Sequence, residues 1–526
     1  MRRTVLFLSC LVVVAAGRVI VVPDSAATIT AGLGAARTGD TVLVKPGTYP
    51  EHVVWPAIDG IKLYSVAGPD STVVDGGYAG TCLVMLGGGL SRATEVRGFR
   101  FANGYNASGG AAGISCAGNA TIAGNRVTRC NGVGIYLSNY STSFSPLVTG
   151  NEVDGCFKEI ENYNYGCGLY VNAGTGARPE ICYNYIHHDT LRNSSRNYGG
   201  GIYCDAEALI YQNRIEANVL FSDTGSACRA YGAGIFVDSD RRPVIFSNLI
   251  VGNRCATDAW KYGAGIRMYL GAQPLIVNNT IANNVCTGPH MWSNGGGIYN
   301  DMQCTTYVKN NIITGNQATS GSGVYNYTSA QPGVVNSFNN DYYNNTLEGC
   351  SMGPGDIAQD PLFATGRYGN YYLSQIAAGQ PQNSPCVDAG DTLGQGCRLN
   401  VDSLLGAWTT RTDSVPDALP PDIGYHYPMT ALLGVEGPAR SGPAGRAVAV
   451  PNPFRTCVRF ACGANRGMRL VVSDVSGRVV YEAGAVGSGL LWDGSDAHGR
   501  RLPAGVYCFR LIGPGSVQAG RVVQLE

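Results

Sequence analysis

The chain has 526 residues, enough for a sizeable core and more than one domain. Its 37 basic and 37 acidic side chains balance to a formal charge of +0, and only 14% of residues are charged. No basic surface argues for nucleic acid, and no acidic run argues for a disordered tail. Gly is frequent, at 73 residues, and Asn recurs through the middle of the chain. Both tolerate left-handed backbone cheaply, so an all-β repeat with many tight turns is expected.

Residues 1–17 read as an export signal: Arg2 and Arg3, an apolar run from Val5 to Val14, then Ala15, Ala16 and Gly17. That run is too short to span a bilayer, and no later segment is a candidate span. An exported chain can keep disulfides, but losing Cys10 from the 18 cysteines leaves an odd number. The spacings of Cys and His match no zinc template.

From residue 114 to about 345 the sequence repeats. Seven segments follow the pattern apolar-x-x-Asn-x-apolar: Ile122-Asn125-Val127, Val148-Asn151-Val153, Ile181-Asn184-Ile186, Ile210-Asn213-Ile215, Ile245-Asn248-Ile250, Ile276-Asn279-Ile281 and Val308-Asn311-Ile313. Upstream of each lies a Gly-x-apolar anchor: Ile114, Ile135, Leu169, Ile202, Ile235, Ile266 and Ile298, with Val324 as an eighth. Each segment alternates as a short strand does, and one copy cannot bury its apolar side chains alone. Stacking the copies about 4.8 Å apart turns three apolar positions into one continuous core, with the Asn amides forming a ladder between them.

This pattern resembles the right-handed parallel β-helix superfamily that includes pectate lyases and pectin esterases. The opening stretch is similar too, in Gly39 to Val53 (GDTVLVKPGTYPEHV) and in the later STVVDGG. The resemblance covers roughly residues 23–345 and implies a fold, not an activity. It also implies a short helix over Ala26 to Arg37 that caps the open end of the core, where an uncovered coil would offer unpaired backbone.

Beyond Asn345, the segments Asp360 to Phe363, Ser384 to Asp391 and Pro420 to Pro428 resemble the terminal portion of secreted β-helix proteins that carry an anchoring domain. Short alternating strands and Gly-rich turns follow, as a β-sandwich requires. Val471 to Val480, Leu491 to Tyr507 and the closing VVQLE resemble the immunoglobulin-like domain of the flagellar hook cap family and the sorting domains of type-nine secretion. The organisation expected is a signal (1–17), a capped β-helix (18–345), a terminal coil and capping segment (346–429), a linker (430–447) and an immunoglobulin-like unit for sorting or attachment (448–526).

If each anchor points inward, the next residue points outward. That column reads Ser115, Tyr136, Tyr170, Tyr203, Phe236, Arg267, Tyr299 and Tyr325. A second column, Tyr165, Tyr198, Tyr231 and Tyr262, precedes the glycines, with Trp260, His290 and Trp292 leading into the same strand. In the middle copies, 18 to 22 residues separate the ladder Asn from the next anchor, and these stretches read as loops walling a groove. The candidate ligand-binding residues are Tyr136, Tyr170, Tyr203, Phe236, Tyr269, Tyr299, Tyr231, Tyr262, Trp260 and Trp292, with sugar rings stacking on aromatic faces. The alternative is that the tyrosines stack on one another as cross-strand pairs.

Asp205 and Asp238 take the same phase of adjacent copies, and Glu207 and Asp240 follow two residues later, near Arg241 and Arg267. Such a cluster suits Ca2+, with its six to eight oxygen ligands, or an acid–base pair for glycoside cleavage. Resemblance to pectate-lyase-like proteins implies that Asp205 and Asp238 hold Ca2+ while Arg267 abstracts a proton. No catalytic motif of that family surrounds them, so hydrated carboxylates at a strand end stay as the third reading. His187 is expected to face outward and His188 toward the bend, so that the two do not share a metal. Lys158, Glu159 and Glu161 are expected to be solvated.

Cys130 and Cys156 share a phase on adjacent copies, as do Cys255 and Cys286. Each pair is either a disulfide or part of a stack of reduced thiols. Together these features predict a secreted or surface-attached protein whose partners are an extracellular polysaccharide or surface glycan and, through the C-terminal unit, sorting machinery. Nucleic acid and a membrane span in the mature chain are not expected, Ca2+ is the one candidate cofactor, and cleavage by a lyase or hydrolase mechanism stays open. The rival reading is a non-catalytic adhesin or rigid spacer.

Overall fold

The computed structural model describes residues 17–87, 89–160, 163–192, 195–222, 228–288, 292–392 and 408–429. In the C-terminal part it describes 448–450, 458–461, 469–474, 478–484, 490–496, 500–503, 505–513 and 516–524. The expected linker, most of the expected signal, and Glu161 and His290 lie outside these residues. Two compact units divide the chain, Met1–Val435 and Glu436–Glu526.

The first unit is a right-handed parallel β-helix, and its register follows the repeat. Ile122, Val148, Ile181, Ile210, Ile245, Ile276 and Val308 are successive partners in a 12-stranded sheet. Val127, Val153, Ile186, Ile215, Ile250, Ile281 and Ile313 do the same in a 10-stranded sheet. The anchors from Ile114 to Val324 fill an 11-stranded sheet. All these side chains are buried in one continuous core, each contributing roughly 1.5–3 kcal/mol relative to exposure. Close packing of the coils also explains the glycine before each anchor. A Cβ on Gly201 would lie 2.7 Å from both the Gly234 carbonyl and Ile215 Cγ2.

The Asn ladder is continuous from Asn125 to Asn340. Each amide Nδ2 donates to the Oδ1 of the next Asn at 2.9–3.1 Å, through Asn151, Asn184, Asn213, Asn248, Asn279 and Asn311. Asp356, which only accepts when ionised, ends the row by taking the Asn340 Nδ2 at 3.0 Å. A second ladder runs five residues later, through Asn218, Asn253, Asn284, Asn316 and Asn345. Its earlier rungs are Asp189, Cys156 and Cys130. Asp189 Oδ1 accepts from Cys156 N at 2.8 Å, while its Oδ2 has no hydrogen-bond partner.

The stretches expected as loops form strands instead. In coils two to six of this region they build two further five-stranded parallel sheets, one from Phe157–Glu159 to Val285–Cys286 and one from Tyr163–Tyr165 to Ser293–Asn294. Lys158 is therefore buried on the first of these rather than solvated, its Nζ donating to the Tyr165 carbonyl at 2.9 Å. Burial lowers its pKa to about 8. Cys255 and Cys286 are register partners here, and all fourteen described cysteines carry free thiols, so the buried thiol stack is the arrangement observed.

A helix at Ile29–Ala35 caps the N-terminal end, burying Ile29 and Leu33. Thr28 Oγ1 accepts from Ala31 N, and the Glu51 carboxylate accepts from Ile29 N and Thr30 N, satisfying free amides of the first turn. After the last coil the chain turns back along the outside of the β-helix. The His426 carbonyl accepts from Gln212, the Asp422 carbonyl from Asn278 and the Asp391 carbonyl from Asn310. Trp408 packs on Phe246 and Val277. The second unit has a three-stranded and a four-stranded antiparallel sheet, with Leu470, Val472, Trp492, Phe509 and Leu511 in its core. Among the described residues no helix is long and apolar enough to cross a membrane.

Asn248→Ala removes three donated and two accepted hydrogen bonds from a buried site. It is expected to cost about 2–4 kcal/mol, read from the denaturant midpoint. Asp189→Asn is expected to stabilise. Burial raises the pKa of this carboxyl well above its ordinary value. Its contribution is therefore full below the unfolded pKa of about 3.9 and declines as pH rises toward the folded value. Thermal melts at several pH values should show the gain from Asn growing with pH, and a gain that shrinks with pH would contradict a neutral Asp189.

Candidate functional site

Alternation on the 11-stranded sheet places the residue after each anchor on its outer side, where rings from adjacent coils stack. Tyr136 and Tyr170 lie 4.5 Å apart by ring centroids, Tyr170 and Tyr203 5.0 Å, Tyr203 and Phe236 5.5 Å, and Tyr299 and Tyr325 5.1 Å. These separations match the strand spacing of about 4.8 Å, so the backbone itself sets the stack. Tyr165, Tyr198, Tyr231 and Tyr262 form the second column in register on the neighbouring five-stranded sheet.

The two columns interlock. Tyr165 meets Tyr203 edge-on at 5.2 Å, and Tyr198 meets Phe236 edge-on at 5.1 Å. Tyr203, Phe236, Tyr231 and Tyr299 are buried, while Tyr136, Tyr170, Tyr262 and Tyr269 are partly so. The expected open groove is thus filled by its own rings. The cause is the pair of extra sheets, which fold the second column against the first. Trp260 meets only the edge of this packing, its ring centroid 6.5 Å from that of Tyr262, and both Trp260 and Trp292 are exposed.

Arg267 takes a ring's place in the first column. Its guanidinium carbon lies 3.8 Å from the centre of Tyr231 and 5.1 Å from that of Tyr299. Its Nη2 donates to Asp301 at 2.6 Å, and the two side chains are only 4% and 7% exposed. Burial would lower its pKa, but Asp301 and the tyrosines override this and raise it above the ordinary value. Arg267, read from sequence as a base beside Asp205 and Asp238, is therefore paired elsewhere and held as a cation.

The acids are partnered separately. Asp205 Oδ1 accepts from Arg241 Nε at 2.5 Å. Burial raises its pKa, opposed by Arg241 and reinforced by the nearby charge of Asp238. Asp238 accepts from the Tyr203 hydroxyl and from the amide and hydroxyl of Ser239. Glu207 lines a separate hollow of about 230 Å3 with Arg92, Arg178, Glu180 and Arg242. Asp240 is exposed on a left-handed turn at φ +57°. The four carboxylates proposed for Ca2+ do not gather into one group. Among the described residues, the one cluster of three or more His, Cys, Asp or Glu ligand atoms lies elsewhere.

An outer ridge was not anticipated as a unit. Two residues before the second tyrosine column, Tyr163, Arg196, Arg229 and Trp260 are in-register partners. Trp292 extends the row, its carbonyl accepting from Lys261 N at 2.9 Å. Tyr163, Trp260 and Trp292 are 44%, 36% and 54% exposed. Arg196 lies over Tyr163 at 5.1 Å and Arg229 over Trp260 at 3.8 Å. The period-two spacing that revealed the tyrosine column also reaches this ridge, whose members differ too much in type to read as one column.

Removing Arg267 leaves Asp301 charged and buried. Arg267→Ala is expected to cost about 3–5 kcal/mol, and Arg267→Ala with Asp301→Asn distinctly less than the sum of the two single changes. Additive losses in denaturant titrations would mean that the pair is not coupled.

A family model described as "Right handed beta helix region" matches residues 162–356. A comparison with curated proteins found no match. One similar solved chain comes from a study of PorZ, described as an essential bacterial surface component of the type-IX secretion system of Porphyromonas gingivalis. It is 26% identical over 15% of this chain and 11% of that chain, with a TM-score of 0.14, so the match spans only a small part of either protein.

Proposed function

We propose that this is a secreted or surface-attached β-helix protein that binds extracellular polysaccharide, with the C-terminal unit serving sorting or attachment. The observation that carries the binding reading is the ridge Tyr163–Arg196–Arg229–Trp260–Trp292, whose three aromatic members are exposed and whose two arginines are half-buried. Exposed aromatic faces are unfavourable in water unless they meet something, and sugar rings offer apolar C–H faces to them. Four inter-strand steps give the row a run of about 19 Å along the coil axis. The guanidinium groups lying over Tyr163 and Trp260 each cover one ring face, leave the other for a sugar and add donors that suit carboxylate or sulfate groups, so acidic polysaccharides fit best. The buried tyrosine stack beneath supplies rigidity, and the ligand contacts lie above it.

The test is a panel of neutral and acidic polysaccharides titrated into the full chain, read by tryptophan fluorescence and assayed for new reducing ends or unsaturated products. An acidic glycan should bind in a salt-sensitive way. Trp260→Ala with Trp292→Ala should weaken it at least about tenfold, equivalent to roughly 1.4 kcal/mol. Undiminished binding by that variant would remove the ridge from the account. Failure of every glycan to bind would favour the adhesin or spacer, and products would add catalysis.

A further inference from the structure

A second chemical cluster lies on the 10-stranded sheet, away from the aromatic columns. Asp154 and His187 are register partners on adjacent coils. His188, the next residue, has φ +55°. The equivalent turn positions hold Gly155, Gly252, Asn283 and Gly315, residues that enter this conformation readily. His188 is one of the few other side chains placed there. Its left-handed backbone swings the imidazole back over the strand, beside Gly155, where a Cβ would meet nothing within 4 Å. The expectation that adjacent histidines diverge is thereby corrected: strict strand alternation stops at this residue.

Three ligand atoms converge as a result. His187 Nδ1 and His188 Nδ1 are 2.8 Å apart, and Asp154 Oδ1 lies 3.2 Å from the first and 3.7 Å from the second. The opposite side of the buried His187 ring is fixed. Its Nε2 faces Glu152 Oε1 at 3.3 Å, and Tyr185 stacks on it at 3.7 Å. Arg126 donates to the other Glu152 oxygen at 2.6 Å. Glu152 accepts from Nε2, so in the neutral ring Nδ1 carries the lone pair. That lone pair then faces a carboxylate oxygen and a second imidazole nitrogen. A proton on His187 Nδ1 reaches the other two atoms only as a bifurcated, weakened hydrogen bond, whereas a cation placed among the three meets all of them as ligands.

We propose that Asp154, His187 and His188 bind a divalent first-row transition ion of the Zn2+ type, with Glu152 orienting His187 from behind. Two imidazoles and one carboxylate suit Zn2+ and its neighbours and disfavour Ca2+, which takes oxygen ligands alone. One ion at the usual distance of about 2.1 Å from each nitrogen spans the 2.8 Å between them. A carboxylate behind a ligating histidine is the usual outer partner that fixes its tautomer. Asp154 also borders a cleft of about 330 Å3 lined by Arg100, Arg126, Thr128, Arg129 and Glu152, so the ion's remaining positions open to solvent. Arg100 and Arg126 are already neutralised by Asp70 and Glu152.

The full chain, stripped with a chelator, is titrated with Zn2+ by calorimetry and with Co2+ by visible absorption. One equivalent should bind with a nitrogen–oxygen Co2+ spectrum, free of the intense near-ultraviolet bands of thiolate ligation. His188→Asn keeps a residue that tolerates left-handed backbone, and Asp154→Asn changes a partly exposed side chain, so both should fold. Each should weaken binding about 100-fold or more, and Glu152→Gln about 10- to 100-fold. No binding by the unmodified chain, undiminished binding by His188→Asn and Asp154→Asn, or a thiolate spectrum would each overturn the proposal. The pair would then be two histidines sharing a proton.

Discussion

Everything in the first unit depends on parallel coils stacking in register, each position about 4.8 Å from its copies above and below. A position can hold only a side chain that is compatible with its own kind. Aliphatic groups meet aliphatic groups, so Ile122 to Val308 become one core column. An amide both donates and accepts, so Asn can occupy a buried turn in coil after coil without orphaned groups. Rings stack at the same spacing. A lone charge cannot repeat in this way, and where one is buried the neighbours adapt: Arg267 sits among tyrosines with Asp301, and Asp189 carries a raised pKa.

The three apolar columns, the first ladder and the parallel stacking were legible because each recurs as one residue type at a fixed offset. The second ladder was written just as plainly from Asn213/Asn218 to Asn340/Asn345. In earlier coils, however, the position is held by Cys130, Cys156 and Asp189, and the cysteines drew attention to disulfides. The middle stretches were harder. Their three-residue strands, such as Arg196–Tyr198, are too short to show a period, and pairing with neighbouring coils is what makes them strands.

The same limit applies to the site. Alternation correctly gave the direction of Tyr203, Phe236 and Tyr299, but direction is not exposure. Whether a ring on the outer side of a sheet meets water depends on what another sheet lays over it, a tertiary fact. His188 failed for the opposite reason. A single left-handed residue reverses where a side chain goes, and with Arg129 and Ala217 at equivalent turns of other coils no one residue type marks that conformation in the sequence. The result is a division between a stiff column of stacked aromatics and ladders and the more open features beside it, the ridge and the turn at His187–His188, to which the proposed binding is assigned.

Chemical nitration of tyrosines in the native chain, mapped by mass spectrometry, tests this division directly. Tyr140 and Tyr163, both exposed, should be modified early, while Tyr203, Tyr231 and Tyr299 stay protected until unfolding. Equal reactivity of Tyr203 and Tyr299 with Tyr163 in the folded protein would mean that the aromatic columns form an open groove, and the account of a filled, structural stack would be wrong.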